Sequence, residues 1–107
     1  MKLKEMILAV LRTGRQNAQT QWEIAEQTGI NPREVRRLIA ELIEVDGYAI
    51  GSTPHEPAGY YLCETEDELK ENYERLMRQA KKIMLRASAF QRNEQAQSIR
   101  GQMRLIK

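Results

Sequence analysis

Eleven residues apart, Thr20-Gln-Trp-Glu23 and Asn31-Pro-Arg-Glu34 read as two helix starts in quick succession, leaving room between them for one short helix and a turn. In the first, the Thr oxygen can accept from a backbone N–H at the helix end while the Glu side chain reaches back, so a helix is predicted to begin at Gln21. In the second, Asn31 caps, Pro32 stands at the first helical position where its missing donor is harmless, and Glu34 stands third. Gly29 can take the left-handed conformation that closes the first helix, whose buried face is expected to be Trp22, Ile24, Ala25 and, just past its end, Ile30. Val35, Leu38, Ile39, Leu42 and Ile43 give the second helix an apolar stripe, and Asp46-Gly47 ends it. Two helices joined this tightly must cross, with small Ala25 at their closest approach.

The flanking segments complete a mainly α fold with a small β-hairpin. Leu3, Met6, Ile7, Val10 and Leu11 recur at helical spacing, and Thr13-Gly14 stops that helix near Arg12. Tyr48-Ala-Ile50 and Tyr60-Tyr-Leu-Cys63 are β-prone, and the residues between them, 51 to 59, hold two Gly and two Pro, which predicts a hairpin with a long loop. A third short strand from Asn17 to Gln19 is also expected.

Thr65-Glu-Asp-Glu68 is a further capping box, opening the strongest periodicity in the chain: Leu69, Tyr73, Leu76, Ala80, Ile83, Ala87 and Phe90, at alternating spacings of four and three. Met77 and Met84 widen this seam by one position. A continuous helix over residues 66 to 92 would span about 40 Å. That exceeds what a domain of this size can cover, so the seam is expected to be a dimerisation arm, which divides the chain into a domain at 1–64, a long amphipathic helix at 65–92 and a basic tail at 93–107. Trp22, Tyr60, Tyr61 and Tyr73 are read as packing residues rather than base-stacking platforms.

With 107 residues the chain has length for one modest core. Its net charge of +2 conceals strong segregation: residues 1–40 carry +3, residues 41–74 carry −9 and residues 75–107 carry +8. One region would attract a polyanion and another repel it. A single cysteine, Cys63, excludes an internal disulfide, and without a secretory-type apolar start or a run of about 20 apolar residues a cytoplasmic protein is expected. No phosphate-cradling glycine loop and no nucleophile–base set is present, and the lone His55 lies in a Pro-flanked loop. No enzymatic activity, cofactor or metal is expected.

With Val35, Leu38, Ile39 and Leu42 facing inward, 100° per residue sends Arg33, Arg36, Arg37 and Ala40 outward. Guanidinium forks suit the N7 and O6 of guanine and also phosphates, and Asn31 at the positive helix end could hold a phosphate. The order helix, short strand, two crossed helices, then Gly47-Tyr-Ala-Ile50 and Gly59-Tyr-Tyr-Leu62 resembles a winged helix-turn-helix domain. It is most similar to the amino-terminal domain of the biotin repressor and to small phage and prophage helix-turn-helix proteins, over the first two thirds of the chain. The resemblance implies sequence-selective binding of double-stranded DNA by a transcriptional regulator of phage or prophage type. Its contacts would fall on Gln21, Asn31, Arg33, Arg36 and Arg37, and in the wing on Ser52, Thr53 and His55. The wing departs from the pattern, for residues 51–59 have no Lys or Arg and carry Glu56. The alternative is a protein–protein assembly module of a phage replication or packaging apparatus, and in either role a homodimer through the C-terminal helix is expected.

Overall fold

A computed structural model describes residues 2–93 together with Ser98, Ile99 and Gly101. The remainder of the basic tail expected at 93–107 lies outside the described residues. The elements run α1 (Leu3–Val10), a single 3₁₀ turn (Arg15–Asn17), α2 (Gln21–Thr28), α3 (Pro32–Glu44), β1 (Ile50–Thr53), β2 (Gly59–Leu62) and α4 (Glu66–Arg92). The fold is mainly α with a small antiparallel hairpin: a helix-turn-helix, a two-stranded wing and a long C-terminal helix. No helix among the described residues is long and apolar enough to cross a membrane.

The local signals around the crossed helices act as their chemistry dictates. Thr20 and Glu23 form the full capping box, with the Glu23 N–H donating to Thr20 Oγ1 at 3.1 Å and the Thr20 N–H to Glu23 Oε1 at 3.3 Å. Gly29 closes α2 at φ +75°, and Asn31 Oδ1 accepts from the Arg33 N–H at 2.9 Å. Ile7 and Leu11 from the first helix and its end, Ile24 and Ala25 from α2, and Val35, Leu38, Ile39 and Leu42 from α3 meet in one buried core, joined by Ile30 and Ile50. Apolar burial over these three helices supplies most of the driving force.

Two expectations are corrected. Trp22 is 66% exposed rather than part of the α2 core face, and Ile43 stands at the exposed edge of the α3 stripe. For Trp22 the cause is angular: it lies two positions, or 200°, from fully buried Ile24, and so on nearly the opposite side of α2.

The hairpin also differs from expectation. Residues Gly51, Ser52 and Thr53, assigned to the loop, belong to β1, with Ile50 opposite Leu62, Gly51 opposite Tyr61, Ser52 opposite Tyr60 and Thr53 opposite Gly59. The pairing captures Gly51 because its missing side chain leaves space for Tyr61 and Asn72, whose atoms would lie 2.6–2.8 Å from a Cβ there. The loop is thereby shortened to residues 54–58. The third strand expected at Asn17–Gln19 is reduced to bridges: Gln19 exchanges both backbone bonds with Tyr60, at 2.9 and 2.7 Å, and Thr13 lies parallel to Leu62. Gln19 itself is fully buried, its Oε1 accepting from the Arg12 N–H at 3.0 Å and its Nε2 donating to Gln27 at 3.2 Å.

The chain separates into two compact units, one ending at Asn72 and one beginning at Tyr73. The first therefore includes the opening turns of α4, and four side chains explain why. Thr65 caps α4, accepting from the Glu68 N–H at 3.2 Å. The Glu68 carboxylate also accepts from the Glu64 N–H at 2.6 Å and from the Arg15 N–H at 2.9 Å. Asn72 accepts from the Ser52 N–H at 3.0 Å and donates to the Tyr61 hydroxyl and the Glu68 carbonyl, both at 2.8 Å. Glu71 adds an ion pair with Arg15. In the second unit Tyr73, Leu76, Met77, Ile83, Met84, Leu85 and Phe90 of α4 are all exposed.

Candidate nucleic-acid interface

The amino-terminal ends of α2 and α3 converge on one shallow surface depression, lined by Gln21, Trp22, Asn31, Pro32, Arg33 and Arg36. The tight turn at Gly29 creates this arrangement, because it returns the chain to the start of α2 within three residues. Four of the eight residues expected to contact DNA, Gln21, Asn31, Arg33 and Arg36, are brought together here. Asn31 uses its side-chain oxygen to cap α3. Both arginines are exposed, and among the described residues neither forms an ion pair.

Arg37 is exposed too, but its guanidinium is engaged. Its Nε donates to both Glu34 oxygens at 3.0 and 3.2 Å, its Nη2 pairs with Glu34, and its Nη1 donates to Glu41 at 3.0 Å. Glu34, expected to complete the α3 cap, has turned to this arginine instead, since three charge-assisted bonds from one guanidinium outcompete one backbone N–H. Glu41 also accepts from Lys4 at 2.8 Å, and Lys4 reaches Asp46 at 2.8 Å. The hydrogen bond from Arg37 holds the Glu34 carboxyl below its ordinary pKa, the Lys4 and Arg37 contacts do the same for Glu41, and Glu34 in turn raises Arg37. The far half of α3 is thus charge-compensated, and the uncompensated positive charge sits on Arg33 and Arg36. Such surface pairs are weak and screened by salt.

The wing residues are not part of this depression. Thr53 is buried, with its hydroxyl accepting from the His55 N–H at 3.2 Å, and Ser52 is half-buried with its N–H on Asn72. Both are strand residues that hold the hairpin rather than present groups at its tip. His55 is exposed in the loop, where it borders a second depression with Arg15, Gln16, Thr53, Glu56 and Pro57. That surface holds Glu56 and an arginine already paired to Glu71, so it offers little net positive charge.

Trp22 is the residue that sequence reasoning missed. Its 200° offset from Ile24 was the available signal. Trp22→Ala is expected to change stability by no more than ~0.5 kcal/mol, as for other surface positions, measured by urea unfolding followed by circular dichroism. Because Trp22 is the single tryptophan of the chain, the native emission should be that of a solvated indole open to acrylamide quenching. A shielded, quencher-resistant emission would place the ring in the core after all.

Comparison of the chain with protein-family models, curated proteins and solved structures gives no match.

Proposed function

We propose that this protein is a winged helix-turn-helix DNA-binding protein that selects a double-stranded DNA sequence and acts as a transcriptional regulator of phage or prophage type. One observation carries the reading: Arg33 and Arg36 stand exposed on the first two turns of α3, beside Gln21 and Trp22, and form no ion pair among the described residues. In such folds the first turns of the second crossed helix enter the major groove while the preceding helix crosses the backbone. Arg33 and Arg36 then reach guanine edges or phosphates, and Gln21 and Trp22 meet the flanking sugar–phosphate strand. Arg37 joins them by exchanging its carboxylate partners for a phosphate. The acidic end of α3, with Glu41, Glu44 and Asp46, keeps only the amino-terminal half of the helix near the DNA. Two copies act together, joined through the exposed apolar face of α4, which suits a two-fold operator.

A fragment selected from random DNA supplies the probe. Arg33→Ala with Arg36→Ala is expected to weaken binding to it by ~30-fold or more, and to lower the salt slope of binding by about two units. An unchanged isotherm would remove DNA binding through α3. Retention that is weak, salt-sensitive and without any preferred fragment would instead favour an assembly module.

A further inference from the structure

Resting on the dimer just proposed, we infer that α4 pairs with the same helix of a second copy in antiparallel order, with Leu76 and Ala80 at the centre of the crossing. Two independent features of the helix point to this order, its charge and the sizes of its seam residues. From Arg75 to Arg92 it carries six basic side chains and no acidic one, whereas Glu66, Asp67, Glu68, Glu71 and Glu74 oppose a single Lys70 before it. A parallel pair would set the six-fold basic stretch level with itself along its whole length. An antiparallel pair sets the acidic opening of each helix beside the basic end of the other, which is the attractive arrangement.

The seam volumes agree. In a parallel, in-register pair each seam residue meets itself, so Ala80 and Ala87 give two hollow layers while Tyr73 and Phe90 give two overfilled ones. Reversing one helix so that Leu69 faces the partner's Ala87 also sets Tyr73 against the partner's Ile83 and Leu76 against the partner's Ala80. Every layer then joins a large residue to a smaller one. This register aligns residues 66–90 of both helices, so Glu74 stands level with the partner's Lys82. Phe90 lies beyond the last paired layer. The side chains needed are exposed in the single chain: Leu69 at 48%, Tyr73 at 65%, Leu76 at 55% and Ile83 at 61%.

Site-specific oxidation of the full chain tests the order. In a Cys63→Ser background, Tyr73→Cys and Ile83→Cys are prepared separately, checked as dimers by sedimentation under reducing conditions, then mixed and oxidised. The expected product is the mixed disulfide between positions 73 and 83, with self-linked chains in each single-variant sample at less than a tenth of that yield. Efficient 73–73 and 83–83 products overturn the antiparallel order and leave the dimer standing. The unsubstituted protein gives a second readout that needs no seam change. Its dimer should loosen several-fold between low and high salt, as attraction is screened, and tightening with salt would equally overturn the order. A species of 12.5 kDa in sedimentation would remove the dimer itself and this inference with it.

Discussion

Gly59→Ala should cost the protein about 4 kcal/mol, a large part of the stability of a chain this size. A Cβ at position 59 would lie 1.9 Å from the Gln19 carbonyl oxygen and 2.2 Å from its carbon, backbone atoms that cannot rotate away. The backbone there also has φ +128°, a region closed to residues with a side chain. Relief would require opening the Gln19–Tyr60 bridge, and with it two backbone hydrogen bonds that hold the segment after α1 against the wing. Fully buried Gln19 would then lose its place, exposing the buried bond it makes to the Arg12 N–H. Thermal unfolding should show a midpoint about 20 °C lower, at 4–8 °C per kcal/mol for a domain of this size. A shift of only a few degrees would mean that the close approach at Gly59 is not a feature of the folded protein.

The second large effect falls on Glu68, a nearly buried carboxylate that accepts two backbone N–H groups from outside its own helix. Glu68→Ala leaves the Arg15 and Glu64 N–H groups without this partner and should destabilise by ~3 kcal/mol, at about 1.5 kcal/mol for each charge-assisted bond. Glu68→Gln retains one acceptor oxygen and should lose about half as much. The pH dependence has a definite sign. The Arg15 N–H, then the Glu64 N–H, hold the Glu68 carboxyl below its ordinary value of 4.5. In the unfolded chain the group takes up its proton first as pH falls, so its stabilisation is complete above that value and is lost as pH drops through the lower, folded one. Urea unfolding of the parent from pH 6 down to pH 3 should therefore show a decline that is shallower in Glu68→Gln. Parallel curves for the two proteins would show that the carboxylate does not titrate between the folded and unfolded states.

Much of the helical framework was legible because it is written in short-range chemistry. Thr20 with Glu23, Gly29, and Asn31 with Pro32 mark the boundaries of α2 and α3 within a few residues of each other, and each acts through neighbours in sequence. The outward placement of Arg33, Arg36 and Arg37 followed from the same helical arithmetic. The site was less legible where competition between partners decides. Nothing in the local pattern says whether Glu34 will cap α3 or pair with Arg37, and the pair with Arg37 is what leaves Arg33 and Arg36 as the uncompensated cations. Ser52 and Thr53 lie by sequence in the wing loop, but strand pairing extends over them, and Asn72, twenty residues on, accepts the Ser52 N–H.

From its own order of residues the chain determined where helices begin and stop, which stripe of α3 turns inward, and that α4 carries a continuous apolar seam with opposite charge at its two ends, since all of these depend on neighbours within about four positions. Tertiary structure alone decided the burial of Gln19 and Glu68 and the length of the hairpin. Each of those depends on a partner far away in sequence, and a buried polar group takes whichever such partner satisfies it at lowest free energy.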